Sequence, residues 1–112
     1  MHSAKVSDLV RKYYSDFVSR NRKAVEDLLS DAFTFSSPRD DHIGKKDYLE
    51  RCWPNGDKFP AIQIVKLFEE GNEAFVLYEC EMKDGAKFRN TEFLKLEGNR
   101  IKEVNVYFGR SL

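Results

Sequence analysis

The sequence predicts an α+β domain in which three N-terminal helices pack on a curved antiparallel sheet. In the last third of the chain, β-rich runs are joined by the short turns Lys83-Asp84-Gly85 and Glu97-Gly98-Asn99, and Gly71-Asn72 attaches a further run, Ile62–Phe68. Such turns are typical of hairpins because Gly and Asn tolerate a positive φ. Before residue 60, apolar residues recur mainly at helical spacing. We therefore expect a four-stranded meander that is covered by helices.

The composition bounds the class of protein. A chain of 112 residues is one domain, here 1–112, with a single core. Its 19 basic and 19 acidic side chains cancel, so the basic excess of a nucleic-acid-binding protein is absent. Charged residues interrupt every apolar stretch before it reaches the length of about 18 residues that a membrane span needs. With no apolar signal segment after Met1, we expect a cytoplasmic protein without a membrane or nucleic-acid partner.

The two cysteines, Cys52 and Cys80, do not form a recognisable motif. Their spacing matches neither a zinc site nor a redox pair, and no second His or cluster of carboxylates stands at ligand spacing. We therefore expect no metal and no cofactor. Both residues are interpreted as unpaired core thiols in a reducing compartment, although a disulfide between them is the alternative.

Two helices are predicted before residue 31. Because Tyr13 and Tyr14 are adjacent, we expect them to point to different sides, with Tyr13 on the apolar side. Asn21 is the expected N-cap of a second, shorter helix. The apolar residues of the first helix fall at helical spacing; they are Val6, Leu9, Val10, Tyr13 and Phe17.

The middle of the chain predicts one strand and one helix. The stretch Ala32–Ser37 alternates apolar with polar residues and stops at Pro38, which is typical of a short strand. A polar loop that contains His42 then leads to a third helix over Lys45–Trp53, and Pro54 is expected to end it.

The strands of the meander carry apolar residues on both faces. In the last strand Val104, Val106 and Phe108 share one face, whereas Asn105 and Tyr107 lie on the other. Three helices can cover only one face of such a sheet. The other face is either a solvated surface with unusual aromatic residues or a subunit contact, and we favour a homodimer through the sheet face.

The order of these elements resembles the nuclear-transport-factor-2-like (NTF2-like) superfamily. The resemblance rests on the Tyr13-centred first helix, Ser37-Pro38, Gly44, the run from Asp84 to Glu92, and the terminal Tyr107-Phe108-Gly109. Within that superfamily the chain is most similar to the SnoaL-like and ketosteroid isomerase-like branch. This resemblance implies a cystatin-like cone, in which helices close a bent sheet around a deep apolar cavity.

The resemblance also implies where isomerase residues would fall. The tyrosine that binds the oxyanion corresponds to Tyr13, the general-base aspartate to Ser37, and the protonated aspartate to Thr91. The hydroxyls of Ser and Thr stay neutral near pH 7 and cannot move a proton without an added base. The ketosteroid isomerase carboxylate pair is therefore absent, and steroid isomerisation by that mechanism is not expected.

Other polar residues are candidates for the inner wall. The resemblance implies that Thr91 and Phe93 face the cavity, and Arg89 shares their parity on the strand. On the neighbouring strand Leu77, Glu79 and Glu81 would then face the same way. A buried pair of Arg89 with Glu79 or Glu81 could orient a polar substrate or position a water; the alternative is an exposed cross-strand pair of little consequence.

The candidate site therefore has two sets of residues. The catalytic candidates are Tyr13, Glu79, Arg89 and His42, the last as a loop base if it is not simply solvated. The candidates for binding a ligand are Phe17, Phe35, Trp53, Leu77, Thr91, Phe93, Val106 and Phe108.

Two functions are consistent with these residues. The first is a SnoaL-like protein with a cavity for a small, largely apolar ligand, of the isomerase, hydrolase or cyclase type. The alternative is a non-catalytic binding module or dimeric association module of the same fold. The sequence leaves open whether the protein is an enzyme.

Overall fold

A computed structural model describes residues 5–112. Two helices, α1 and α2, open this part of the chain, and a third helical segment, α3, spans residues 45–58 between two groups of strands. None of these helices is long and apolar enough to cross a membrane. The bounds are α1 Val6–Val18, α2 Arg22–Leu28, β1 Leu29–Ser37, β2 Asp40–Gly44, β3 Ala61–Glu70, β4 Glu73–Glu81, β5 Lys87–Glu97 and β6 Arg100–Ser111.

The six strands form one open sheet in the order β2-β1-β6-β5-β4-β3. The predicted meander is confirmed as β3 to β6, and its turns contain Gly71, Gly85 and Gly98, each with a positive φ. The prediction of a wholly antiparallel sheet is wrong, because β1 pairs with β6 in parallel. The meander begins with β3, at the edge of the sheet opposite β2. Its last strand, β6, lies beside β1 and runs in the same direction.

The polar loop predicted before α3 is instead the edge strand β2. It pairs with β1 through Phe35 opposite Ile43 and Ser37 opposite Asp40. The backbone N–H of His42 donates to the Ser36 hydroxyl over 2.9 Å, which ties the strand down. A short edge strand of mostly polar residues carries little hydrophobic pattern, so its sequence resembles a loop.

The segment α3 extends beyond Pro54, where we expected it to end. It comprises an α-helical turn Lys45–Asp47, a π-helical turn Tyr48–Cys52 and a 3-10 turn Trp53–Lys58. Pro54 stands at the start of the 3-10 turn, where a missing backbone N–H costs nothing. This extension brings the end of α3 to the same side of the sheet as α1.

The apolar side of α1 is wider than its sequence pattern suggested. Tyr13 and Tyr14 are both buried, so the expectation that only one of them faces inward is wrong. Neighbouring helical residues are about 100° apart, and an apolar stripe of that width accommodates both. The prediction for the next helix is confirmed, since the Asn21 side chain accepts a hydrogen bond from the Ala24 N–H over 3.2 Å.

The two faces of the sheet are assigned by burial. The face toward the helices carries the buried residues, and the outer face carries half-buried and exposed ones. On β6 the residues predicted to face the helices do so. On β4 and β5 the prediction is wrong by one residue. Because side chains alternate between the two faces of a strand, this error exchanges the inner and outer residues. The inner residues are Val76, Tyr78, Cys80, Asn90, Glu92 and Leu94, and the outer ones include Leu77, Glu79, Arg89, Thr91 and Phe93.

Candidate functional site

A cavity of about 680 Å³ lies between α1, α3 and the inner face of the sheet. Its walls combine rings from the helices with side chains from β1 and from β4 to β6. The aromatic residues of its interior include Tyr13, Tyr14, Phe17, Phe35, Tyr48 and Tyr78. The carboxyl group of Glu92 on β5 lies among these rings.

Glu92 is buried, with 7% of its surface exposed. The Tyr14 hydroxyl donates to its Oε1 over 2.8 Å, and the Tyr78 hydroxyl donates to its Oε2 over 2.6 Å. Among residues 5–112 no basic side chain forms an ion pair with it. The carboxyl group is therefore held by neutral donors alone.

Burial raises the pKa of Glu92 above its ordinary value, because a charged carboxylate loses its hydration in the cavity wall. The hydrogen bonds from Tyr78 and Tyr14 favour the ionised form and offset part of this effect. A carboxyl group whose pKa moves toward neutrality can both accept and release a proton. This property distinguishes Glu92 from the solvated carboxylates of the surface.

The two tyrosines that hold Glu92 remain neutral donors. Burial raises the pKa of Tyr14 and of Tyr78, and the nearby charge of Glu92 raises both further. The side-chain amide of Asn90 donates to the Tyr78 hydroxyl over 3.3 Å and accepts from the Gly109 N–H over 3.0 Å. This chain of hydrogen bonds connects the end of β6 to the carboxyl group and orients Tyr78.

A second pair of hydroxyls lies in the same cavity. Tyr13 on α1 and Tyr48 on α3 are both buried, and their hydroxyl oxygens are 2.9 Å apart. Burial raises the pKa of each phenol, so both stay protonated. Two hydroxyls carry two protons, and the bond between them uses one. The second proton is available to an oxygen atom of a ligand.

The structure brings together five of the residues predicted from sequence. Tyr13, Phe17, Phe35, Val106 and Phe108 all line the cavity. Their roles in binding or chemistry stay predictions.

Four other predicted residues lie elsewhere. Trp53 is buried behind the wall, with its ring 5.5 Å from that of Phe17, so it is a core residue. Leu77, Thr91 and Phe93 project from the outer face of the sheet and do not line the cavity. The one-residue error in strand parity accounts for the last three.

Three of the four catalytic candidates also lie outside the cavity. Arg89 and Glu79 form the cross-strand pair, with Nη2 and Oε2 2.6 Å apart, but on the outer face and with side chains 41% and 35% exposed. His42 projects from the edge strand β2, its side chain 67% exposed and bonded to Asp41. These positions agree with the alternative interpretations, an exposed cross-strand pair and a solvated histidine.

The other acidic side chain and the two thiols of the wall are paired or neutral. Asp40 lines the cavity but faces Arg51, with 3.2 Å between its Oδ1 and the guanidinium. Cys52 and Cys80 are free, and burial raises the pKa of each thiol to about 11. Within the part of the chain that the structure describes, no three His, Cys, Asp or Glu side chains cluster in a way that could hold a metal ion.

Sequence reasoning missed Glu92, Tyr14, Tyr78 and Asn90. A signal for Glu92 was present in β5, where one parity contains Lys87, Arg89 and Lys95 and the other contains Leu94 and Leu96. Basic side chains are rarely buried without a partner. Glu92 has the same parity as Leu94 and Leu96, so the sequence favours a position on the inner face of the sheet.

Comparison with known proteins adds one family match. The family model described as SnoaL-like domain matches residues 10–104, which is most of the chain. No curated protein sequence matches.

Solved structures share the fold. An NTF2-like protein of unknown function from Cytophaga hutchinsonii is 27% identical, with a TM-score of 0.75 over 96% of this chain and 93% of that one. A protein from Kribbella flavida, provisionally described as a ketosteroid isomerase, is 18% identical, with a TM-score of 0.80 over 98% and 82%. The epoxide hydrolase/cyclase-like enzyme SalBIII, which takes part in pyran ring formation in salinomycin, is 15% identical, with a TM-score of 0.81 over 93% and 90%. The arrangement of three helices and an open mixed sheet is thus NTF2-like.

Proposed function

Because this chain belongs to the SnoaL-like domain family, we propose that it is an enzyme that moves a proton within a small, largely apolar molecule. The proposed ligand lies in the cavity, wrapped by a cone of sheet and helices, with its reactive end at Glu92. The observation that carries the proposal is a buried carboxyl group that only tyrosine hydroxyls hold. The names of two relatives, isomerase and hydrolase/cyclase, describe chemistry in which protons are transferred.

The proposed step uses two groups of the cavity. Ionised Glu92 accepts a proton from an acidic C–H or O–H of the ligand, and the electron pair left behind moves toward a ligand oxygen. The free proton of the Tyr13–Tyr48 pair stabilises that oxygen as its negative charge develops. Glu92 then returns the proton to another atom, which gives an isomer or closes a ring without any change in oxidation state.

Proton exchange with solvent tests this function without knowledge of the natural substrate. A panel of apolar ketones and enones is incubated with the protein in D2O, and deuterium incorporation is followed by mass spectrometry. We expect at least one compound to exchange, and Glu92→Gln to slow that exchange by about 10²- to 10⁴-fold, the range for loss of a general base. Exchange that is equally fast in Glu92→Gln, or absent across the panel, would contradict the proposal.

The alternative is a module that binds a ligand or associates with a second copy and catalyses no reaction. The outer face of the sheet supports the proposed association. This face exposes large aromatic residues, among them Phe68 at 70%, Phe75 at 51% and Tyr107 at 57%. The rings of Phe75 and Phe93 are in contact there, with centroids 5.1 Å apart. We propose that this face is a homodimer contact, because exposed apolar patches of this kind are typical of interfaces. The dimer is compatible with either function, and the deuterium experiment separates the two.

A further inference from the structure

The wall of the cavity includes three basic side chains, and each comes from a different element. Arg39 lies in the β1–β2 turn, Lys58 ends the 3-10 turn of α3, and Arg110 lies near the end of β6. All three residues are exposed, whereas Glu92 and the tyrosines are buried. The cations therefore mark the solvent side of the cavity, which we call the basic rim.

The basic rim is not neutralised by the protein. No ion pair involves Arg39, Lys58 or Arg110 among residues 5–112. The one acidic side chain of the wall near α3, Asp40, faces Arg51. In a chain whose formal net charge is zero, this concentrates positive potential at the rim, and such a field attracts anions.

The same wall also contains a band of apolar side chains. Phe59 and Phe88 pack edge to face with centroids 5.8 Å apart, and Met82 and Phe108 complete this band. The guanidinium of Arg39 stands 5.8 Å from the centroid of the Phe108 ring, which holds it beside the apolar band. A ligand that spans the cavity thus meets cations at one end and a carboxyl group at the other.

We propose that the ligand is an amphiphilic anion, with an apolar body and a carboxylate or phosphate group at the basic rim. This inference rests on the proposed function, since it assigns a substrate class to the same cavity. Arg39 and Arg110 bind the anionic group with their planar guanidinium forks, and Lys58 adds a point charge. Glu92 disfavours an anion at the inner end, so the ligand enters with its neutral, reactive end first. Charge complementarity thereby sets the direction in which the substrate binds.

Two fluorescent probes that differ in one end group test the inference. The anionic probe is 1-pyrenebutanoate, and the matched neutral probe is 1-pyrenebutanol. At low salt we expect the wild-type protein to bind the anionic probe about tenfold more tightly, the advantage of a charge-assisted contact. Sodium chloride at high concentration reduces this preference, because the rim is exposed and its charges are screened.

Variants locate the preference at the rim. The double variant R39Q/R110Q is expected to lose the tenfold preference and to bind 1-pyrenebutanol as the wild type does. The control R11Q/R100Q removes the same charge from two arginines outside the cavity, on α1 and at the start of β6, and is expected to keep the preference. Lys58→Gln is tested separately and is expected to lose part of the preference for the anionic probe.

Each outcome decides between the proposals. Equal binding of both probes, or an anion preference that R39Q/R110Q retains, overturns the basic rim as an anion site and leaves the proposed proton transfer intact. Failure of the wild type to bind either probe overturns the inference. The deuterium-exchange experiment then reports separately whether the proposed function stands.

Discussion

Tyr14 and Glu92, which are 78 residues apart in the sequence, are joined by a hydrogen bond of 2.8 Å inside the cavity. The bond connects the first helix to the fifth strand, and Tyr78 completes the arrangement from the neighbouring strand. A glutamate in this position loses most of its hydration and gains only neutral donors. The pKa of Glu92 therefore depends on the surroundings in the cavity, and both protein stability and NMR can report it.

The buried carboxyl group should make stability fall as pH rises. The pKa of Glu92 is higher in the folded than in the unfolded state. Between those two values the folded protein binds more protons, so the free energy of unfolding decreases with increasing pH and then levels off above the folded pKa. Urea denaturation across a pH series should show this decrease, and Glu92→Gln should reduce its slope. Glu50→Gln, on the exposed side of α3, is the control, and a Glu92→Gln slope equal to that of the wild type would contradict the expectation.

The outer face of the sheet should hold two copies together. Phe75→Glu places a charge in the middle of the exposed aromatic patch. We expect it to raise the dissociation constant of the dimer about thirtyfold, the effect of losing a central aromatic contact worth about 2 kcal/mol. Sedimentation velocity at micromolar concentration provides the measurement, and Arg11→Glu on the exposed side of α1 is the control. A wild-type protein that sediments as a monomer would remove the proposed interface.

Gly109 permits the close approach of β6 to β5 at the rim. A Cβ atom at this position would lie 1.9 Å from the carbonyl oxygen of Arg89, so a side chain requires the backbone to move. The N–H of Gly109 also donates to Asn90, which orients Tyr78. We expect Gly109→Ala to lower the free energy of unfolding by about 1–3 kcal/mol, as overpacking does. Gly44→Ala, whose Cβ would meet nothing within 4 Å, should change it by less than about 0.5 kcal/mol in the same urea titration.

The meander and its turns could be predicted from sequence because they are local. Gly71, Gly85 and Gly98 mark the turns through their positive φ, and the match to the SnoaL-like family model confirms the resemblance that the order of elements indicated. The edge strand β2 and the irregular helix α3 could not be predicted in the same way. Their short segments have little periodicity, and packing rather than local preference determines their conformation.

The site was harder to predict because it depends on strand register. A bulge between Lys95 and Leu96 shifts the pairing of β5 with β6, so that Leu94 faces Val104 and Glu92 faces Val106. Counting residues back from the Gly98 turn without this bulge pairs Leu94 with Glu103, which lies on the outer face. A shift of one residue exchanges the two faces of a strand. The resemblance implied that Thr91 faces the cavity, whereas in the observed register its neighbour Glu92 does.

The tyrosines should tune the carboxyl group in a defined direction. The hydrogen bonds from Tyr78 and Tyr14 lower the pKa of Glu92 and oppose the effect of burial. Tyr14→Phe should therefore raise that pKa above its wild-type value, and Tyr78→Phe should do the same. Carboxyl carbon NMR over a pH series measures the change, with Tyr107→Phe, exposed on the outer face, as the control. A lower midpoint in either cavity variant would show that the hydroxyls do not stabilise the ionised form.

The same titration of the unaltered protein tests most directly whether Glu92 can exchange a proton in the cavity. Its side-chain carboxyl signal is assigned by comparison with Glu92→Gln and followed from acid to alkaline pH. We expect a midpoint clearly above the value of about 4.3 that is ordinary for a glutamate. A midpoint at or below that value would mean that the carboxyl group is solvated or paired with a cation, and would contradict the proposed role in proton transfer.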